Sequence, residues 1–319
     1  EANVPIRMLI APAGFGKTTL AEQWVAKQGR RGTWFTARPA STDVAALALG
    51  LARSAARIAP DCEERLREHL RALPAPAENV RVLAEILSED LAGWPTDAWL
   101  VFDDYHEICP SADAERFVDE LVSLCPLQIL IASRQRPSWI TARRILYGEV
   151  FELSQNELAM DGHEAAEVLS GRGAASASGL VALADGWPAV IGLAAVSMAE
   201  LEDQTSVPEA LYQFFAEEVF SALEPDIQSG LAVLAIAPVI DQALAEGLLG
   251  RNAEKVLGSS LDIGVLVERE GQLEMHPLAR AFFDERRDQG SLPVPVQTIE
   301  RCLEMMREQR DWDAAFDPV

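Results

Sequence analysis

The segment Ala11-Pro-Ala-Gly-Phe-Gly-Lys-Thr18 decides the fold class of this chain. It fits the phosphate-binding loop (P-loop, or Walker A) pattern G-x-x-x-x-G-K-[S/T] except at its first position, where alanine replaces glycine. The apolar run Ile6–Ile10 before it predicts a β-strand, and the helix-forming residues Thr18–Lys27 after it predict an α-helix. A strand, a Gly-containing loop and a helix in this order indicate a site for the phosphates of ATP or ADP.

The residue types of this loop suit the binding of phosphate. Gly14 and Gly16 allow the backbone to turn so that successive N–H groups point at phosphate oxygens, and the dipole of the following helix adds partial positive charge. Lys17 supplies charge to the β and γ phosphates in binding and catalysis, and the Thr18 hydroxyl is a ligand for Mg²⁺. The residues predicted to bind the nucleotide here are Ala13, Gly14, Phe15, Gly16, Lys17, Thr18 and Thr19. The alternative for the same pattern is a Gly-rich turn with an exposed lysine.

Strand-like runs alternate with helical stretches through the first half of the chain. Trp99–Phe102 is apolar on both faces, which is typical of a strand buried between two layers of helices. Such alternation predicts an α/β fold with a doubly wound, five-stranded parallel sheet. The predicted strands after the first are Thr33–Ala37, Asp97–Asp103, Leu127–Ala132 and Glu149–Leu153.

Two carboxylates follow the most apolar of these strands. A P-loop site needs an acidic residue at the end of a neighbouring strand, because Mg²⁺ is held by few protein carboxylates together with waters and phosphates. We assign Asp103 to Mg²⁺, together with Thr18, and we assign Asp104 to orienting the attacking water. The alternative is that the two aspartates cap a turn after the strand.

The next strand ends in Ser133-Arg134-Gln-Arg136. An arginine at this position can contact the γ-phosphate and report whether it is present. We assign this catalytic role to Arg134 and leave Arg136 as a second candidate. A solvated loop arginine is the alternative for both.

After about residue 155 the pattern becomes helical almost throughout. Two β-prone runs, Gly264–Glu268 and Gln272–Met275, are joined by a short turn and followed by a predicted helix at Leu278–Arg287. A hairpin after several helices predicts a winged-helix module. The predicted organisation is a nucleotide-binding domain at 1–155, a helical lid domain at 156–222, a winged-helix domain at 223–290 and the start of a truncated helical repeat region at 291–319.

Composition limits the classes of partner. The chain has 319 residues and a formal net charge of −23, which repels nucleic acid backbones and anionic membranes. No apolar stretch approaches the roughly 18 residues needed to cross a bilayer. The cysteines show no metal-ligand spacing and are expected to be free thiols: Cys62, Cys109, Cys125 and Cys302. We expect a cytoplasmic protein that binds neither DNA nor membranes through this part of its sequence.

Several motifs together resemble the signal-transduction ATPases with numerous domains (STAND), a branch of the AAA+ superfamily. The motifs are Ala11–Thr19, Phe102–His106, Ile131–Arg134, Asp185–Pro188 and Met275–Leu278. The sequence is most similar to the MalT-like regulators of the LuxR type, and the resemblance runs from residue 6 to about residue 285 with the motifs in the same order. It implies a transcription-regulating switch that rests with ADP, is released by exchange for ATP and is reset by slow, Mg²⁺-dependent ATP hydrolysis.

The resemblance also implies roles for three residues. In that family the carboxylate of Asp103 belongs to the Mg²⁺ strand, Pro188 packs near the adenine and His276, on the winged helix, contacts the β-phosphate of ADP. The residues alone allow a second interpretation for two of them. Pro188 is ordinary at the first position of a predicted helix, Ala189–Ala199, and His276 lies where a helix N-cap is expected.

MalT-like regulators usually carry a helical-repeat sensor and a DNA-binding domain downstream, and neither fits within this sequence. The resemblance therefore implies the nucleotide-binding core of a longer protein. It also implies a small-molecule or protein inducer that acts through the missing domains, and self-association on activation.

Two other functions are compatible with a P-loop. A metabolic kinase or phosphotransferase would need a substrate pocket and an arginine-rich lid over the phosphates, and the sequence offers no candidate lid. A noncatalytic nucleotide-binding scaffold is the other alternative. His106 and His163 have no ligand-like partners in the sequence and are interpreted as structural.

Overall fold

The computed structural model describes residues 4–27, 31–60, 62–72, 76–169, 184–197, 212–213, 215–221, 223–269 and 272–308. The chain divides into two compact units, Glu1–Ala11 with Gly16–Leu158 and Pro12–Phe15 with Ala159–Val319. The first unit ends near the boundary that the sequence predicts at residue 155. The boundaries predicted at residues 222 and 290 stay predictions. Residues 309–319, in the predicted repeat region, lie outside the described residues.

The described residues of the first unit form an alternating series of strands and helices. The strands are β1 (Ile6–Ile10), β2 (Arg31–Thr36), β3 (Ala98–Asp103), β4 (Gln128–Ser133) and β5 (Val150–Leu153). The α-helices are α1 (Lys17–Lys27), α2 (Val44–Ala55), α3 (Cys62–Ala72), α4 (Val80–Asp90), α5 (Ala112–Leu124), α6 (Ala142–Leu146) and α7 (Gln155–Leu158). Short 3₁₀ turns occur at Pro39–Thr42, Pro76–Asn79 and Tyr105–Glu107.

The five strands form one parallel sheet in the order β2-β3-β4-β1-β5. The register pairs Leu9 of β1 with Ala132 of β4, and Phe102 of β3 with Ile131 of β4. Because the strands all run in the same direction, the loops that follow β1, β3 and β4 lie at one edge of the sheet, where open α/β sheets bind ligands. The structure confirms the predicted α/β fold and its five-stranded parallel sheet.

Both faces of this sheet are apolar, as the sequence of β3 predicts. Every residue of β3 is buried, and its successive side chains enter two different core clusters. Leu100 packs in a large cluster with α2, α4 and α5, whereas Val101 packs in a smaller cluster with Ala21 and Val25 of α1. Alternate side chains of a strand point to opposite faces, so helices cover the sheet on both sides.

Short polar side chains fix where several of these helices begin. The Asp43 carboxylate accepts a hydrogen bond from the Ala46 N–H at 2.8 Å, at the start of α2. The Ser111 hydroxyl accepts one from the Ala114 N–H at 3.3 Å, at the start of α5. Each cap satisfies a backbone donor that the first turn of a helix leaves unpaired.

The described residues of the second unit are mainly helical. The helices are α8 (Gly162–Leu169), α9 (Pro188–Ser197), α10 (Pro225–Leu234), α11 (Gln242–Leu249), α12 (Ala253–Asp262), α13 (Pro277–Asp288) and α14 (Val296–Glu308), with a π-helical segment at Phe215–Phe220 and a 3₁₀ turn at Gly250–Asn252. The strands are β6 (Leu266–Arg269) and β7 (Gln272–Met275).

Strands β6 and β7 form an antiparallel pair, with Leu266 opposite Met275 and Arg269 opposite Gln272. A single antiparallel bridge joins Ile240 to Leu273. The hairpin follows α10, α11 and α12 and precedes α13, which is the order that the sequence predicts. Its designation as a winged helix stays a prediction.

An aromatic cluster forms much of the core of this second unit. The rings of Phe215 and Phe282 have centroids 4.9 Å apart, and those of Phe220 and Phe283 have centroids 5.6 Å apart.

Helix α13, which carries Phe282 and Phe283, also forms polar contacts. The side chain of Arg280 on this helix donates to the carbonyls of Ala235 and Pro238 at 3.0 and 3.2 Å. These contacts anchor α13 to the segment after α10.

Two predictions from composition can be compared with the structure. All four cysteines are free thiols, and Cys62, Cys125 and Cys302 are buried. Among the described residues, no helix is both long enough and apolar enough to cross a membrane.

Candidate nucleotide-binding site

The P-loop occupies the turn between β1 and α1, as predicted. The Ala11 N–H donates to the Ser133 carbonyl at 3.2 Å, which continues the pairing of β1 with β4. The Leu20 N–H donates to the Gly16 carbonyl at 2.8 Å, so the helix begins directly after the loop. Gly14 and Gly16 have φ values of +78° and +70°, a backbone region that side chains with a Cβ rarely adopt. The helix N-terminus therefore lies where the sequence predicts an anion site.

Lys17 is buried at the start of α1, with 9% of its surface exposed. Its Nζ donates a hydrogen bond to the Ala11 carbonyl at 2.7 Å, so the side chain folds back along the loop. Burial, and after it the positive charge of Arg134, lowers the pKa of Lys17 from 10.5 to about 8, against the opposing effects of Asp104 and Asp103. An anionic ligand beside this amine would restore the preference for the charged form.

Thr18 and Asp103 are in direct contact in the first unit. The Thr18 hydroxyl lies 3.0 Å from Oδ1 and 3.1 Å from Oδ2 of Asp103. Asp103 is 8% exposed, and burial is the main reason that its pKa is raised. A carboxylate and a hydroxyl side by side are the two protein oxygens that Mg²⁺ uses in P-loop proteins, where phosphates and waters complete the shell. Accordingly, the described residues contain no cluster of three or more His, Cys, Asp or Glu suited to a metal.

Asp104 has a backbone conformation that is unusual for a residue other than glycine. Its φ and ψ are 52° and 38°, in the left-handed region, and it precedes the 3₁₀ turn Tyr105–Glu107. Its N–H donates to Oδ1 of Asp103 at 3.1 Å. Such conformations cost free energy and cluster at functional sites, although aspartate adopts them more readily than most residues.

The two arginines after β4 have different surroundings. Arg136 forms two hydrogen bonds with Glu152 on β5, from Nε at 3.0 Å and from NH2 at 2.6 Å. Arg134 is exposed and forms no ion pair with another described residue, and its charge acts on Lys17 and on His106. Of the two candidates, Arg134 is the one near the lysine of the P-loop.

His106 lies close enough to Arg134 and Lys17 for their charges to act on it, although it was not among the residues predicted for the site. Burial, and then the charge of Arg134, lowers the pKa of His106, and Lys17 acts in the same direction. Its Nδ1 is buried and has no hydrogen-bond partner within the described part of the chain. Its position two residues after Asp104 was the only signal that could have placed it near the site.

Residues Pro12–Phe15 of the loop belong to the second unit, where they contact the segment that contains Pro188. The Trp187 indole Nε1 donates to the Ala13 carbonyl at 3.0 Å, and the Ala189 N–H donates to the Gly14 carbonyl at 3.0 Å. Sequence reasoning missed Trp187. A large aromatic residue in a polar turn, between a glycine and a proline, was the signal that could have indicated it.

Pro188 and His276, both in the second unit, have local structural roles. Pro188 is the first residue of α9, and His276 is the N-cap of α13. His276 is 3% exposed, its Nδ1 accepts from the Leu278 N–H at 3.2 Å and its Nε2 lies 3.2 Å from the Ala184 carbonyl. The predicted contacts of these residues with adenine and phosphate stay predictions. Thr19 is exposed on α1, and its predicted contact with the nucleotide also stays a prediction.

Sequence comparison gives relatives of two kinds. No family model matches the chain. The serine/threonine-protein kinase PknK of Mycobacterium tuberculosis is 26% identical over 328 residues, which cover 96% of this chain and 29% of PknK. The HTH-type transcriptional regulator MalT of Vibrio cholerae is 26% identical over 323 residues, which cover 92% of this chain and 34% of MalT. The chain therefore spans about a third of the length of these relatives.

A solved structure agrees with the fold. A Walker-type ATPase of Pyrococcus abyssi has a TM-score of 0.59 at 14% identity, over 88% of this chain and 91% of that protein. A STAND protein with a tetratricopeptide repeat sensor from Pyrococcus horikoshii has a TM-score of 0.43 at 18% identity, over 98% of this chain and 44% of that one. With the loop, the sheet order and the likeness to the Walker-type ATPase, the chain has a P-loop NTPase fold, and it is similar in sequence to the MalT-type regulators.

Proposed function

We propose that this chain is the nucleotide-binding switch module of a transcriptional regulator. It binds ATP or ADP with Mg²⁺ at the P-loop, hydrolyses ATP slowly and rests in the ADP-bound state. The observation that carries the proposal is the contact of Thr18 with Asp103 beside the buried Lys17. This arrangement supplies oxygen ligands for Mg²⁺ and a positive charge for phosphate at the N-terminus of one helix.

Each side chain has a defined part in this proposal. The ammonium group of Lys17 binds the β and γ phosphate oxygens, and the backbone N–H groups of the loop bind the remaining phosphate oxygens. Thr18 and Asp103 hold Mg²⁺, which neutralises phosphate charge when it is bound. Asp104 orients the attacking water, and Arg134 contacts the γ-phosphate. Loss of that phosphate removes the ligand of Arg134, so this residue distinguishes ATP from ADP.

The regulatory part of the proposal rests on the MalT relatives. Because the chain spans about a third of their length, DNA binding, inducer binding and self-association on activation are assigned to the complete protein. Pro188 and His276 are proposed to contact adenine and the ADP β-phosphate, with the helices and the hairpin of the second unit as lid and winged helix. The acidic net charge supports a module that does not itself bind DNA, and we place this module in the cytoplasm.

Similarity to PknK raises the question of protein kinase activity. Protein kinases use a Gly-rich loop unlike the Walker A loop, together with H-R-D and D-F-G motifs that hold the base and the Mg²⁺ ions. The present sequence contains neither of these tripeptides, and its loop is of the Walker A type. The observations therefore favour ATP hydrolysis in a switch over transfer of phosphate to a protein.

The first test is nucleotide binding by the purified chain. Bound nucleotide is identified after denaturation, and the affinities of ADP and ATP are then measured by calorimetry with Mg²⁺. We expect ADP to co-purify, and Lys17→Ala to weaken both nucleotides by roughly tenfold or more, the range for loss of a charge-assisted hydrogen bond. The matched control is Lys27→Ala, which removes a lysine from the other end of the same helix.

The second test is turnover. ATP is incubated with excess protein in a single-turnover experiment, with and without small-molecule phosphate acceptors. We expect slow release of phosphate that acceptors do not accelerate and that Asp104→Asn reduces. Faster turnover with an acceptor would identify a phosphotransferase, and tight binding without any turnover would identify a noncatalytic scaffold. If Lys17→Ala binds nucleotide as tightly as the unmutated chain, the P-loop assignment is wrong.

A further inference from the structure

The indole of Trp187 is one of the largest fully buried side chains in the structure. The proposed function gives this residue no role, yet its only indole donor is directed at the phosphate-binding loop, at the carbonyl of Ala13. The Trp187 backbone N–H donates to the Ala184 carbonyl at 2.7 Å, so a tight turn holds the residue that presents the ring. Trp187 is thus held by two hydrogen bonds, one from its backbone N–H and one from its indole N–H.

A second hydrogen bond from the same segment reaches the next residue of the loop. The Ala189 N–H, in the first turn of α9, donates to the Gly14 carbonyl at 3.0 Å. The first turn of a helix has N–H groups without partners inside the helix. Two consecutive carbonyls of the loop, those of Ala13 and Gly14, therefore accept hydrogen bonds from residues 187 and 189.

These two bonds determine where the loop N–H groups point. In a trans peptide the C=O and the following N–H point in opposite directions, and the described residues contain no cis peptide bond. Fixing the Ala13 carbonyl therefore turns the Gly14 N–H away from Trp187, and fixing the Gly14 carbonyl turns the Phe15 N–H away from Ala189. N–H groups at these loop positions are the ones that bind phosphate oxygens in a P-loop.

Because Gly14 has no side chain, Trp187 and Ala189 can approach the loop closely. A Cβ at position 14 would lie 2.6 Å from the indole Nε1 of Trp187 and 2.8 Å from the Cβ of Ala189. Both distances are shorter than carbon atoms tolerate without displacement. Glycine is thus needed here for the approach of the indole as well as for the backbone angle.

Two further rings hold the indole in place. Phe15 stacks on Trp187 with ring centroids 6.1 Å apart and an interplanar angle of 18°, and His276 contacts it edge to face at 5.0 Å and 75°. Nε2 of His276 also lies 3.2 Å from the Ala184 carbonyl, at the start of the turn that presents Trp187. Because His276 Nδ1 accepts a hydrogen bond from Leu278, its Nε2 carries the proton and donates to Ala184.

We propose that Trp187 is a positioning residue for phosphate binding, which holds the Ala13–Gly14 peptide with its N–H group directed at the phosphates, next to the Gly14–Phe15 peptide that the Ala189 N–H holds. The proposal rests on the proposed nucleotide function of the loop. It adds that affinity for the phosphate chain depends on an indole N–H that touches no part of the nucleotide. Phe15 and His276 keep the ring in the orientation that this hydrogen bond requires.

The test is Trp187→Phe, which keeps an aromatic ring and removes the indole donor. We expect the dissociation constants of ADP and ATP to rise roughly three- to tenfold, as loss of one hydrogen bond allows. The affinity for inorganic tripolyphosphate should fall by the same factor as the affinity for ATP, because the effect acts on the phosphate chain. In ¹⁵N-labelled protein without nucleotide, the Gly14 and Phe15 amide resonances should shift.

The matched control is Trp94→Phe. The Trp94 indole also donates to a backbone carbonyl at 3.0 Å, that of Ala98, and its side chain is buried, but it does not contact the loop. Both variants should lower the melting temperature of the free chain, and only Trp187→Phe should change affinity. If Trp187→Phe does not fold, benzothienylalanine at position 187 keeps the bicyclic shape with sulfur in place of the N–H group.

The outcomes separate this proposal from the proposed function. If the unmutated chain does not bind nucleotide, the function is wrong. If it binds and the variant at position 187 binds equally well, Trp187 is a core residue and the positioning role is wrong. If the affinities for ATP and ADP fall while the affinity for tripolyphosphate does not, the indole acts on the base of the nucleotide instead of the loop. Equal losses of affinity in the variants at 187 and 94 would also overturn the proposal, because they would reflect stability alone.

Discussion

The Thr18 hydroxyl donates a hydrogen bond to the Asp103 carboxylate, with 3.0 Å to Oδ1 and 3.1 Å to Oδ2. The residues are 85 positions apart in the sequence, and β4 lies between their strands, since β1 leads into Thr18 and β3 ends at Asp103. The contact is possible because the strands are parallel and their carboxyl ends share one edge of the sheet. The two residues that we propose as Mg²⁺ ligands are therefore in direct contact.

This contact predicts the effect of Asp103→Asn. The amide keeps an oxygen that accepts from Thr18, so the fold should persist, but it lacks the charge that a hard cation requires. We expect Mg²⁺ to strengthen ADP binding much less in the variant, with at least about a tenfold loss measured in Mg²⁺, as weakened metal sites show. Calorimetry in Mg²⁺ and in chelator measures both values.

The control for this experiment is Asp97→Asn. Asp97 precedes the same strand and pairs with Arg31 at 3.2 Å on an exposed surface. The substitution Asp97→Asn should leave the effect of Mg²⁺ on ADP affinity unchanged. Equal losses for Asp103→Asn with and without Mg²⁺ would mean that Asp103 only caps the turn.

Much of the first unit could be predicted from sequence because the signals are local. The loop motif is contiguous, and an apolar run followed by two aspartates predicts both β3 and the position of Asp103 at its end. The bounds of β1 are as predicted, and those of the other strands of the sheet differ by at most two residues at either end, as at β2, which spans Arg31–Thr36 instead of Thr33–Ala37. Such ends depend on hydrogen bonds to neighbouring strands, which residue patterns do not contain.

The contacts that sequence reasoning missed join residues far apart in the chain. Trp187 meets Ala13 across 174 positions, and no spacing rule connects a turn tryptophan to a phosphate loop. The choice between Arg134 and Arg136 depends on Glu152 of β5, whose carboxylate binds Arg136. His106 was interpreted as structural because the sequence shows no ligand-like partners for it, whereas in the structure the distant charges of Arg134 and Lys17 act on it together with those of its neighbours Asp104 and Glu107.

The lowered pKa of Lys17 predicts that affinity depends on pH. Phosphate requires the ammonium form, and in the chain without nucleotide Lys17 loses its proton as the pH rises through about 8. We expect ADP affinity to fall above this pH and binding to take up a proton, because bound phosphate raises the pKa again. Calorimetry at pH 8.5 in buffers of different ionisation enthalpy measures this uptake.

Lys17→Arg is the control, since arginine stays charged throughout this range. Proton uptake should disappear in the variant even if affinity is lower. The free energy of unfolding of the chain without nucleotide should change with pH in the sense opposite to the change in ADP affinity. The pKa of about 8 in the folded chain lies below the usual lysine value of 10.5. The unfolded chain therefore binds more protons between these pH values, and the free energy of unfolding relative to Lys17→Arg rises with pH there. Identical pH profiles for the two proteins would contradict the assignment.

Arg134 and Arg136 should respond differently to alanine substitution. Arg134→Ala should slow single-turnover ATP hydrolysis by at least about tenfold, because it removes positive charge beside the transferred phosphate. It should also raise the pKa of Lys17, whose proton Arg134 repels. Arg136→Ala breaks the pair with Glu152 and should leave turnover nearly unchanged. A larger loss of turnover in Arg136→Ala would reverse the assignment.

His276 provides a test of the switch itself. If this residue contacts the ADP β-phosphate, as the resemblance to MalT-like proteins implies, His276→Ala should weaken ADP roughly tenfold or more. The affinity for ATP should fall less, because a ligand biases a conformational equilibrium only through different affinities for the two states.

The alternative is that His276 serves only as the N-cap of α13, where Nδ1 accepts from Leu278 at 3.2 Å. His276→Asn separates the two roles, since asparagine caps helices well but lacks the longer reach of Nε2. Loss of ADP affinity in both variants, measured beside ATP at one fixed pH, supports the phosphate contact. Lower melting temperature in the alanine variant alone, with both affinities unchanged, would leave His276 as a cap and place the nucleotide sensor elsewhere.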